Sequence, residues 1–192
     1  MTASRFVLGD RLSVCVYCGS RFGTEPAYTE AAEALGAGLA ARNMRLVYGA
    51  GDVGLMGAVA RAAQAGGGET FGVIPKHLFD REVGKRDLTS FVITETMHER
   101  KKVMFMNSDV VIALPGGAGT LDEMYEALTW RQLGLHDKPL ILSDVDGFWQ
   151  PLAALNDHMV AKGFLDRRTA DALERVEGAG ATLARLDEIA AG

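Results

Sequence analysis

A chain of 192 residues, 48% hydrophobic and 23% charged, has an ordinary globular composition, and its length fits one compact domain. Its formal net charge of −5 argues against nucleic acid and anionic membrane as partners, so any anion site must be local. The first ten residues are too short and polar for a signal peptide, and no apolar run reaches the length of a membrane span, which points to a cytoplasmic protein.

Apolar, β-branched runs alternate with helical patterns along the chain, as in successive βαβ units. The pattern predicts an α/β fold, a Rossmann-like doubly wound parallel sheet of about six to seven strands with helices on both faces. The first strand spans residues 12–17. Cys15 and Cys18, the only cysteines, have C-x-x-C spacing here, but positions three apart on a strand point to opposite faces, so buried free thiols are expected and no redox pair or zinc site. The four histidines show no metal spacing either.

Pro26 opens a helix that ends near residues 42–43, and a strand at 45–48 runs into the glycine-rich turn 49–54. A helix at 55–65 stops at Gly66, Gly67 and Gly68, and a strand follows at 70–74. Residues 75–88 lack periodicity and read as a mobile loop able to fold over a ligand. Beyond it come a strand at 90–94 and a helix at 97–107, whose run Val103-Met-Phe-Met106 implies burial on most sides, with the methionines filling the core. A strand at 109–114, a helix at 120–133 and a strand at 140–143 come next. A helix at 148–162, a short strand at 175–177 and a helix at 181–190 complete the chain. Ligands of such sheets bind at the carboxyl ends of the strands, where the segments 19–21, 49–54, 94–100 and 115–123 should meet.

Three of these segments carry motifs. Gly49-Ala-Gly-Asp-Val-Gly54 fits the G-x-G-x-x-G dinucleotide pattern, but no acid stands at the end of the next strand to hold a ribose, and Glu69 is at its start. Thr96-Met-His-Glu99 is a capping box that places Arg100, Lys101 and Lys102 against the helix dipole, so a compensating anion is expected there. The planar fork of Arg100 suits phosphate or ribose oxygens. Pro115-Gly-Gly-Ala-Gly-Thr-Leu-Asp-Glu123 joins a buried strand to a helix start through three glycines, a turn whose backbone amides can converge on a phosphate. Thr120 and Glu123 also fit a capping box, yet capping alone requires neither the glycines nor two consecutive acids.

Together with Cys18-Gly-Ser-Arg21, Gly54-Leu-Met-Gly57, Met97-His-Glu-Arg-Lys101 and Thr129-Trp-Arg-Gln-Leu-Gly-Leu-His-Asp-Lys-Pro139, this run resembles the LONELY GUY family of cytokinin riboside 5′-monophosphate phosphoribohydrolases across residues 12–165. One departure is Ala50, where the family usually reads Y-G-G-G. The resemblance implies hydrolysis of the N-glycosidic bond of cytokinin nucleotides or AMP, giving free base and ribose 5-phosphate, without cofactor or metal. It implies Arg100 and Glu123 as the catalytic pair and a phosphate site at Gly116, Gly117, Ala118, Gly119 and Thr120. Ser20, Glu82, Met97, Lys101 and Thr129 are the further substrate contacts, and a homodimer is implied, with the helix 120–133 near the interface. Many relatives carry a lysine decarboxylase label, for which the sequence offers little sign of a pyridoxal phosphate lysine. A nucleotide sensor or carrier of the same fold and an NAD(P) oxidoreductase are the competing readings.

Overall fold

The structure, a computed structural model, describes residues 11–79 and 88–192. Its elements are β1 (Ser13–Tyr17), α1 (Pro26–Ala41), β2 (Arg45–Tyr48), α2 (Gly54–Ala65), β3 (Thr70–Pro75), α3 (Lys76–Phe79), β4 (Ser90–Thr94) and α4 (Met97–Met106). They continue with β5 (Val110–Ala113), α5 (Ala118–Gln132), β6 (Leu140–Asp144), α6 (Gln150–Ala161), α7 (Arg167–Asp171), β7 (Leu173–Glu177) and α8 (Gly178–Ala191). The seven strands form one sheet in the order β4-β3-β2-β1-β5-β6-β7, and every pairing is parallel.

Strand alternation builds the two layers. On β1, Val14 and Val16 face a core shared with α1, α2 and α8 through Leu35, Val59 and Leu183, whereas Cys15 and Tyr17 face Met104, Met124 and Leu152 of α4, α5 and α6. Both faces are therefore covered, which is why the central strands read as continuous apolar runs. Leu46, Ile112 and Ile141 are fully buried in this core, each contributing about 1.5–3 kcal/mol. The chain proceeds outward from β1 through β2, β3 and β4, then returns to lay β5 on the other side of β1. Connections leaving β1 and β5 thus diverge to opposite faces and open a crevice at their carboxyl ends. Among the described residues no helix is long and apolar enough to cross a membrane.

The structure adds to or corrects several expectations. The segment 75–88 begins with the last residue of β3 and the short helix α3, and residues 80–87, which include Glu82, fall outside the described residues. Helix α4 is not buried on most sides: Arg100, Lys101, Met104 and Phe105 form one inward stripe at helical spacing, and Met106 is 62% exposed. Helix α7 went unread, although Asp166 caps it by accepting from the Thr169 N–H at 2.8 Å, a D-x-x-T signal visible in the chain. Strand β7 starts two residues earlier than expected because Leu173, buried, pairs with Leu140.

Candidate active site

A cleft of about 580 Å³ opens at the β1–β5 switch point, within the size range of small-ligand sites. All four expected segments meet there: Gly19, Ser20 and Arg21; Gly49; Met97 and Arg100; and Pro115 through Thr120 with Asp122 and Glu123. One side is apolar, with Leu55, Met56, Met104 and the edge-to-face pair Tyr28 and Phe148, ring centroids 5.7 Å apart. Leu55 and Met56 belong to the motif Gly54-Leu-Met-Gly57, whereas no motif announced Tyr28 or Phe148. These residues reach the cleft through the packing of α1, α2, α4 and the segment after β6.

The glycine-rich turn ends differently from the capping box proposed for it. Helix α5 begins at Ala118, its N-cap is Gly117 in an extended conformation, and no side chain caps it. Thr120 is already inside the helix, so it cannot act as the cap. Its hydroxyl instead packs under Gly116, where a Cβ would lie 2.1 Å from Thr120 Oγ1. The turn's first hydrogen bond runs from the Leu121 N–H to the Gly117 carbonyl at 3.1 Å, so the amides of Ala118, Gly119 and Thr120 precede the ladder and are left for the cleft. Those amides and the positive end of the helix can hold an anion. The Gly19 N–H donates to the Pro115 carbonyl at 3.0 Å and ties this turn to the one after β1.

The other glycine loop is already occupied by the protein itself. The N–H groups of Leu55 and Met56, at the start of α2, donate to the Gly19 carbonyl at 3.1 and 3.4 Å, which fills the place where a dinucleotide's pyrophosphate would sit. Glu69, far from the cleft at the start of β3, pairs with Arg11 at 2.9 Å. The dinucleotide pattern is thus a packing device. Ala50, the family departure, is buried with φ 57, a conformation more usual for glycine, and contributes no group to the cleft.

Arg100 is buried in the cleft wall, its Nε donating to the Val73 carbonyl at 3.1 Å and its Nη2 to the Gly49 carbonyl at 2.8 Å. Gly49 makes room for it, since a Cβ there would lie 1.9 Å from Nη2. Two backbone carbonyls and the Met97 sulfur at 3.9 Å leave its charge without a carboxylate in ion-pair contact among the described residues. Glu123, one turn into α5, lines the same cleft. Burial pushes its carboxyl up to about 7; the Arg100 guanidinium pulls the other way, the Asp122 charge adds to the rise, Lys101 opposes it and Glu126 adds a little more. A carboxyl poised near neutrality beside a fixed cation can take up or release a proton during a reaction.

Of the residues expected at the substrate, Ser20, Met97 and Gly116 through Thr120 line the cleft with Arg100 and Glu123, whereas Lys101 and Thr129 do not. The Lys101 ammonium pairs with Asp122 Oδ2 at 3.0 Å and with Glu126, which supplies the anion expected against the α4 dipole. Thr129 is exposed and donates to the Tyr125 carbonyl at 2.7 Å. Among the described residues no lysine lines the cleft. Cys15 and Cys18 are free and pack against opposite layers, as their spacing on a strand requires.

The start of α5, which no side chain caps, the buried Arg100 guanidinium and the Glu123 carboxyl line one cleft at the switch point of a Rossmann-like domain. Residues 56–186 match the family model described as possible lysine decarboxylase. The chain is 42% identical over 190 residues to the probable cytokinin riboside 5′-monophosphate phosphoribohydrolase LOG4 of Oryza sativa subsp. japonica, covering 99% of this chain and 83% of that protein. It is 42% identical to the enzyme LOG3 of Arabidopsis thaliana, with 92% and 82% covered. To the rice LOGL2 it is 49% identical over 152 residues, 79% of this chain and 62% of that relative's length. The chain belongs to the LOG family of cytokinin riboside 5′-monophosphate phosphoribohydrolases. The fold is shared with the molybdenum cofactor carrier protein of Chlamydomonas reinhardtii, at a TM-score of 0.72 and 20% identity over 96% of this chain and 100% of that one.

Proposed function

We propose that the protein hydrolyses the N-glycosidic bond of cytokinin riboside 5′-monophosphates, AMP or both, with Glu123 and Arg100 as its catalytic pair. The observation that carries this reading is the meeting of Glu123, Arg100 and the start of α5 in one cleft, where burial pushes the Glu123 carboxyl up to about 7. The amides at the start of α5 bind the 5′-phosphate and, remote from the breaking bond, supply binding energy for positioning. As the bond between ribose C1′ and the base breaks, its electron pair leaves with the base and positive charge builds on the ribose. Ionised Glu123 stabilises that charge and accepts a proton from the water whose oxygen bonds to C1′. The base takes its own proton from solvent. Arg100 holds ribose or phosphate oxygens.

A homodimer belongs to the same proposal, supported by exposed Leu133 and Leu135 just beyond α5, 68% and 69% accessible. Thr129, exposed on α5 and off its own cleft, would then serve a neighbouring copy. Light scattering during size exclusion reads this directly, and a monomer would remove it.

The test of the activity is incubation with AMP and with isopentenyladenosine monophosphate, followed by chromatography. Free base and ribose 5-phosphate in equal amounts are expected, with Glu123→Gln inactive. Nucleotide that binds and stays intact would make the protein a carrier instead.

A further inference from the structure

Lys101 follows Arg100 on α4 and Asp122 precedes Glu123 on α5, so the two helices meet through two adjacent pairs of residues. Arg100 and Glu123 face the cleft. Lys101 and Glu126 instead line a small gap with no room for a water molecule, walled in part by Tyr17 and Glu123. There the buried Lys101 ammonium sits 3.0 Å from Asp122 Oδ2 and touches Glu126, and it is the one partner of the buried Glu126 Oε2 among the described residues. A cation already shared between two carboxylates has no free charge to offer a substrate phosphate, and removing it would strand a buried anion.

We propose that Lys101 is a positioning residue: from behind the cleft wall it clamps α4 to α5, sets Glu123 beside Arg100 and balances the two acids that flank Glu123, without touching substrate. The proposal rests on the catalytic role of Glu123 argued above. The groups that act on Glu123 are Arg100 and Lys101 from α4, Asp122 and Glu126 on α5, and Cys15, Tyr17 and Cys18 from β1. Burial pushes the two thiols and the phenol up, so they stay neutral at working pH and the charges of α4 and α5 decide the balance. Lys101 is the member of that set whose loss leaves Asp122 and Glu126 unopposed.

The experiment is the pH profile of kcat/KM for AMP in wild type, Lys101→Met, Lys101→Arg and Glu126→Gln, with Glu123→Gln alongside. In Lys101→Met the acidic limb should move to higher pH by roughly 0.5 to 1 unit, lowering turnover at pH 6.5 by about 3- to 10-fold at little change in KM. Lys101→Arg should restore the limb, and Glu126→Gln should move it to lower pH. An unmoved limb with KM raised about tenfold or more in Lys101→Met would overturn the proposal in favour of direct substrate contact. If Lys101→Met does not fold, Glu126→Gln decides alone, and a limb that stays in place overturns it. Persistent activity in Glu123→Gln would instead defeat the catalytic reading itself, whatever the Lys101 variants do.

Discussion

Replacing Glu123 by Gln keeps the side chain's shape and removes its charge, and the consequence for stability can be worked out. In the folded protein burial pushes the Glu123 carboxyl up to about 7, against its ordinary 4.5. Between those values the folded chain keeps a proton that the unfolded chain has released, so wild-type stability falls as pH rises through this window and stays reduced above it. At 1.36 kcal/mol per pH unit the full loss is about 3 kcal/mol, which glutamine does not suffer. Glu123→Gln should therefore be more stable than wild type by up to about 3 kcal/mol at pH 8, and by only a few tenths of a kcal/mol at pH 4.5. For a domain of this size that is roughly 6 to 10 °C in Tm at the higher pH. Circular dichroism melts of both proteins between pH 4.5 and 8 measure it. A gap that does not change with pH, or a variant less stable than wild type at pH 8, would refute the reasoning. The stabilised variant should also be the inactive one, as expected where a functional group is held at a cost to the fold.

Arg100→Ala should fold but lose most hydrolysis; because it leaves the Val73 and Gly49 carbonyls unpaired, a loss of about 1–3 kcal/mol in a denaturant titration is expected as well. Gly116→Ala puts a methyl 2.1 Å from Thr120 Oγ1, so the start of α5 must shift, and KM for AMP should rise more than kcat falls in steady-state assays. Adenosine, which lacks the phosphate, should be hydrolysed with kcat/KM lower than that for AMP by about 100-fold or more. Lys138→Met removes the amine that donates to the Phe105 carbonyl at 2.6 Å at the end of α4, and should lower Tm without moving the pH profile of activity.

The sheet and its helices were legible because βαβ patterning is a property of the chain itself: a strand such as Val110–Ala113, buried on both faces, has to be apolar throughout. The crevice followed from topology, and Gly116 through Glu123 from the chemistry a glycine-rich turn permits. What the sequence concealed depends on distant partners. The start of α5 was misplaced because a threonine three residues before a glutamate looks like a cap, whereas the turn closes at Gly117 and buries Thr120 under Gly116. The ion pairs of Lys101 were hidden as well, since only the packing of α4 on α5 brings Asp122 and Glu126 to its ammonium. Tyr28 and Phe148, far apart in sequence, meet at 5.7 Å in the cleft wall without any local pattern to announce them.

The most direct test of the account is a crystal structure of Glu123→Gln with AMP bound. The account predicts the phosphate on the amides of Ala118, Gly119 and Thr120, at about 3 Å, with the ribose carbon that bears the base turned toward residue 123. A phosphate seated instead on the loop from Gly49 to Gly54, with the α5 terminus empty, would contradict it.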